Sequence, residues 1–154
     1  MKYAATTAIS SEKSRAEIER TLARYGATGF AYAWQGSTAI IGFQKDGRMI
    51  RFTLPLPDRG SKEFTHTEAR GSRRSPEQAQ AAWEQAGRQR WRALALAVKA
   101  KLEAVESRIT TFEDEFMAHI VMPNGQTLGQ IMPEQIAIAY SEKKMPPLLG
   151  FSEP

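Results

Sequence analysis

Apolar positions along this chain change their spacing several times, and each change marks an element. In SSEKSRAEIERTLARYGA, residues 10–27, Ile18, Leu22 and Tyr25 recur at i, i+4 and i+7, which places them on one helical face. Ser14 and Glu17 have capping-box spacing, and Gly26 can close the helix in the left-handed region. The period then falls to two. TGFAYAW (28–34) sends Phe30, Tyr32 and Trp34 to one side and Ala31 and Ala33 to the other. QGS reads as a turn, TAIIGFQ (38–44) as a second strand and KDG as a hairpin turn. RMIRFTLPLP (48–57) reads as a third strand, stopped by Pro55 and Pro57. Together these make an antiparallel meander with one face buried against helices.

Periodicity disappears over PDRGSKEFTHTEARGSRRS, residues 57–75. The reading there is a long basic loop, of a length found in functional or disordered segments. Ser75, Pro76 and Gln78 then supply an N-cap, a first-turn proline and the third capping-box position. They predict a helix running to about Ser107. TTFEDEFMAHIVM (110–122) reads as another helix, with Thr110 and Glu113 as its capping box and acids in the first turn, as the helix dipole favours. Pro123, Asn124 and Gly125 break it, and TLGQIMPEQIAIAYSEKK (127–144) reads as a last helix, started or interrupted by Pro133. MPPLLGFSEP (145–154) is an extended tail whose Leu148, Leu149 and Phe151 are expected to dock on the body. The expectation is one α+β domain over residues 1–154: an N-terminal helix, a three-stranded antiparallel meander, a long central helix, then C-terminal helices.

Projected as a helix, the central segment puts Trp83, Trp91, Leu94, Val98 and Leu102 on one side and a run of alanines from Ala79 to Ala104 on a second. Arg88, Arg92 and Lys99 share the remaining face, joined toward its end by Glu103 and Glu106. Arg90 and Lys101 fall between faces, where their stems can lie along apolar surface. Two explanations compete for the cationic stripe. It is a solvated helix face, or it forms a phosphate-binding surface with Arg70, Arg73 and Arg74 of the preceding loop. Phe30, Tyr32 and Trp34 pose a similar choice between core and a stacking platform for bases. Three aromatics alternating along a strand favour the core.

The formal net charge is +4, but its distribution says more. Residues 59–101 carry ten Lys/Arg against four Asp/Glu, and residues 102–154 carry three against eight. Such asymmetry fits an acidic partner for the middle, most often nucleic acid. The competing explanation is that the acidic end folds back on the basic middle, or pairs with it between subunits. Cysteine is absent, which removes disulfide frameworks, thiolate metal sites and cysteine nucleophiles. The N-terminus lacks a secretory apolar region, and no apolar run approaches the roughly 18–20 residues that span a bilayer. A cytoplasmic setting is expected.

Catalytic signals are sparse. His119 follows Glu115 at i+4 on a predicted helix, a placement open to a metal or an acid/base pair, but only Glu113 and Asp114 lie near enough in sequence to extend the ligand set. Nucleophile-elbow, zincin, P-loop and dinucleotide-binding glycine motifs are missing. Neither enzymatic activity nor a cofactor or metal is expected.

Read together, SRAEIERTLARYGA, RMIRFTLPLP, RQRWRALALAVKAKLEAVE, FEDEFMAHIVMPNGQT and MPPLLG resemble a group of small bacteriophage- and prophage-encoded proteins whose function is unassigned. The likeness runs from about Ser14 to Leu149 and is most specific in RWRALALAVKAKLEAVE. It carries no catalytic residues. It implies a phage-borne accessory protein in the host cytoplasm, serving phage DNA metabolism or countering host defence. The functional expectation is a nucleic-acid-binding accessory protein, with single-stranded DNA in phage replication or recombination as the particular reading. Its phosphate-binding residues would be Arg70, Arg73, Arg74, Arg88, Arg92 and Lys99. The alternative is an anti-defence or regulatory protein binding a host protein or a small phosphorylated nucleotide. A homo-oligomer built on the alanine face and the opposed charges is compatible with either, and no membrane partner is expected.

Overall fold

In the computed structural model, which describes residues 2–150 and side chains from Ser11 onward, the expected α+β order is observed. The chain runs α1 (Lys2–Arg24), β1 (Thr28–Gln35), β2 (Thr38–Lys45), β3 (Arg48–Pro55), α2 (Lys62–Thr65) and α3 (Pro76–Glu106). It continues through α4 (Phe112–Phe116), a 3-10 turn at Met117–His119, and α5 (Leu128–Glu142). The strands form an antiparallel sheet in the order β1-β2-β3. Asp46 (φ 52°) and Gly47 (φ 74°) connect β2 to β3 with Lys45 opposite Arg48. Two consecutive positive φ values make a type I′ turn, whose twist matches that of the strands and which Asp-Gly adopts readily.

Pleating sends Ala39, Ile41 and Phe43 of β2 and Ile50 and Phe52 of β3 to one face, and all five are buried. They meet Ile18 and Leu22 from α1, Trp91, Ala95, Val98 and Leu102 from α3, and Phe112 and Phe116 from α4. Phe116 stands edge-on to Phe43 and Phe52, with ring centroids 6.0 and 6.1 Å away, the arrangement that aromatic quadrupoles favour. Each such ring contributes about 1.5–3 kcal/mol on burial. α3 is started by the expected capping box, in which Gln78 N donates to Ser75 Oγ and Ser75 N to Gln78 Oε1.

Several local expectations are corrected. α1 is already helical well before the Ser14–Glu17 spacing. No Gly or Pro lies between Lys2 and Gly26, so nothing stops the helix upstream and the Ser-x-x-Glu spacing is simply traversed. Residues 57–75 are not a structureless loop. Ser61 caps α2, Phe64 is buried beneath it, and His66 pairs with Arg73 as an antiparallel bridge closed by Thr67 N→Ser72 O (2.8 Å). These elements are too short to register as periodicity.

The helix expected over 110–122 is also much shorter. Thr111, not Thr110, is its N-cap, accepting from Asp114 N at 3.1 Å. Beyond the 3-10 turn the chain straightens. Ile120 pairs with Ile50, and Val121 N donates to Met49 O at 2.8 Å. An open strand edge offers backbone partners that compete with a further helical turn. Pro133 lies inside α5, whose N-cap is Thr127. Leu148 is half-buried and Leu149 exposed, while Phe151 lies outside the described residues. Among the described residues no helix is long and apolar enough to cross a membrane.

Candidate nucleic-acid interface

α3 is anchored along the Trp/Leu side expected from its projection. Trp91 is 2% exposed and its ring lies 5.7 Å from that of Tyr32. The two between-face cations act as ties. Arg90 Nη1 donates to Pro55 O at 2.7 Å, and Lys101 Nζ donates to Glu115 O at 3.2 Å and to Glu115 Oε1 at 3.3 Å. Trp83 Nε1 adds a bond to Pro57 O at 2.8 Å. With that side docked, Arg88, Arg92 and Lys99 are exposed on one flank. The eleven helical steps from Arg88 to Lys99 span roughly 16 Å, the length of about five phosphates of one strand.

The remaining predicted cations separate into two groups. Arg70 and Arg73 are exposed on the small hairpin just before α3 in the chain. Arg74 is different: its Nη1 donates to Phe64 O at 3.2 Å and Glu63 O at 3.4 Å. It braces the carbonyl end of α2, as basic side chains do at helix C-termini, and its backbone N bonds Thr65 O. That is a structural role.

The neutralisation expected if the acidic end folded back is largely absent. Glu113 pairs with Arg48 (3.1 Å) and Glu115 with Lys101 (3.3 Å). Among the described residues, no carboxylate lies within ion-pair distance of Arg70, Arg73, Arg88, Arg92 or Lys99.

One candidate was missed by the alternation argument. Phe30 and Tyr32 pack against the core, but Trp34 on the same strand face is 51% exposed. Through Ala39 it is in register with Leu54, at the end of the sheet where Arg90 and Trp83 tie α3 to Pro55 and Pro57. An exposed indole therefore stands at the end of the sheet that Arg90 and Trp83 tie to α3. The signal in the sequence was position: Trp34 is the penultimate strand residue, where helix cover runs out.

The Glu115–His119 pair does not form. Glu115 is held by Lys101, and the imidazole stacks on Phe52 with ring centroids 4.1 Å apart. Among the described residues no three His, Asp or Glu gather as a metal site. Burial lowers the His119 pKa from 6.5, the Lys101 charge lowers it further, and a backbone hydrogen bond at Arg51 works against both. The folded chain thus takes up this proton less readily than the unfolded chain. The stability linked to His119 is fully present above about pH 6.5 and is lost as pH falls toward the folded-state value. Urea midpoints should drop as pH falls below about 6.5, and His119→Gln should shrink that drop. An unchanged pH dependence in the variant would remove His119 as its source.

Compared with known protein families, curated proteins and solved structures, the chain matches none.

Proposed function

We propose that this protein is a nucleic-acid-binding accessory protein that takes single-stranded DNA along the α3 flank. The observation that carries this reading is the row Arg88, Arg92 and Lys99, exposed and without carboxylate partners among the described residues. Cations left unneutralised by a chain that has eight acids in its last third are suited to an anionic partner. Trp34 favours single strands, because single-strand binders combine a cationic track with aromatic stacking that needs unpaired bases. Arg70 and Arg73 are further exposed cations, on the hairpin that precedes α3. The likeness to phage proteins supports a setting in phage replication or recombination.

Fluorescence anisotropy of labelled single-stranded and duplex oligonucleotides across a salt series tests the proposal. Three phosphate contacts on a single strand predict a log–log salt slope of about −2. Trp34→Ala should weaken single-strand binding by about 1–3 kcal/mol and leave duplex binding unchanged. No binding at about 50 mM salt would overturn the reading. Saturable binding of a dinucleotide alone would favour the small-nucleotide alternative instead.

A further inference from the structure

α5 contains Leu128, Ile131, Met132, Ile136 and Ile138, yet none of its residues is buried. A helix this apolar around its circumference is ordinarily enclosed. Its first turn is the secured part. A Cβ added to Gly129 would stand 2.9 Å from Ala118 O, so the helix and the 3-10 turn touch backbone to backbone there. Arg51 Nη2 donates to Gln130 Oε1 at 3.1 Å and to Gly125 O at 2.8 Å. Beyond that turn, Met132 and Ile136 line an open apolar groove of roughly 670 Å³ with Met117, Leu128, Leu148 and Leu149. Lys101, Asp114 and Glu115 stand on its wall; Lys101 and Glu115 pair with each other (3.3 Å), while Asp114 has no cationic partner among the described residues.

A second surface on the same molecule has the complementary form. On α3, Ala93, Leu96, Ala97 and Ala100 are all exposed, Leu96 at 61%. Their spacing is i, i+3, i+4 and i+7, the anchor pattern of a helix that lies in an apolar groove. Three of the four are alanines, which lets another helix approach closely. Arg92 and Lys99 flank this row and are unpaired among the described residues.

We infer that the α5 groove of one copy receives the Leu96 row of α3 from a second copy, with Arg92 and Lys99 set toward Asp114. The net charges of the two regions, ten cations against four acids in 59–101 and three against eight in 102–154, give the contact its direction. Because the two surfaces differ, the contact is heterologous. It leaves one groove and one row open at the ends and continues into a ring or filament.

The test is sedimentation velocity without nucleic acid, so its outcome is independent of the DNA-binding reading. Wild-type mass should rise with concentration up to about 200 μM and fall at high salt. Leu96→Asp and Ile136→Asp each alter an exposed helix position and should each be monomeric, with wild-type far-UV circular dichroism. Mixed together, they should form a heterodimer and stop there, because one intact groove meets one intact row. A wild-type chain that stays monomeric, an oligomer that survives either substitution, or a mixture that stays monomeric would each overturn the inference. The last result, with both variants folded, would point to a symmetric contact.

Discussion

Trp91→Ala lowers the unfolding free energy by about 3–5 kcal/mol. Trp91 is 2% exposed and is packed among β1, α1 and α3, with Tyr32 against its ring. Removing the indole forfeits its transfer free energy and leaves a void that helix and sheet backbones cannot close. A domain of this size has about 5–15 kcal/mol in total, so the variant sits near its unfolding threshold at ambient temperature. Urea titration followed by far-UV circular dichroism measures the loss. Trp91→Phe should recover much of it by refilling most of the volume. A Trp91→Ala loss below about 1 kcal/mol, the level of an ordinary surface change, would mean that the α3–β1 seam is not the core.

The largest expected effect on binding comes from neutralising the flank. Arg88→Gln, Arg92→Gln and Lys99→Gln together should weaken single-strand binding on the order of 100-fold or more at moderate salt, since each charge-assisted contact contributes about 1–2 kcal/mol. The log–log salt slope should lose about two units, at roughly 0.7 per single-strand phosphate. Among the described residues the Arg88 guanidinium bonds only the neighbouring Gln85 side chain (2.7 Å), and all three residues are exposed, so the fold should be retained. Nanomolar protein keeps self-association out of the reading. Arg74 stays unaltered in this design because its guanidinium holds α2 in place, and its loss would confuse binding with stability. Wild-type affinity and slope in the triple variant would show that the flank does not hold nucleic acid and that any binding lies elsewhere.

What the sequence determined by itself was whatever short-range chemistry decides. The Asp46-Gly47 turn, the two-residue alternation of the strands and the Ser75-Pro76-Gln78 start of α3 each depend on a few adjacent residues. Each appears in the structure within a residue or so of where it was read. The stripe of Arg88, Arg92 and Lys99 was likewise legible, because helical period alone brings them together. Tertiary structure decided everything that depends on what lies opposite. Tyr32 and Trp34 are equivalent by alternation, but only the former lies under α3. Arg73 and Arg74 are neighbours in a basic run, but only Arg74 meets the carbonyls of α2. Residues 110–122 carry a helical pattern as far as Met122, yet the open edge of β3 draws Ile120 out of it. The alanines of α3 read as a packing face, and Ala93, Ala97 and Ala100 are left exposed because the sheet and α1 take the other sides. Burial, edge pairing and charge neutralisation are set by contacts between residues distant along the chain, and no local spacing encodes them.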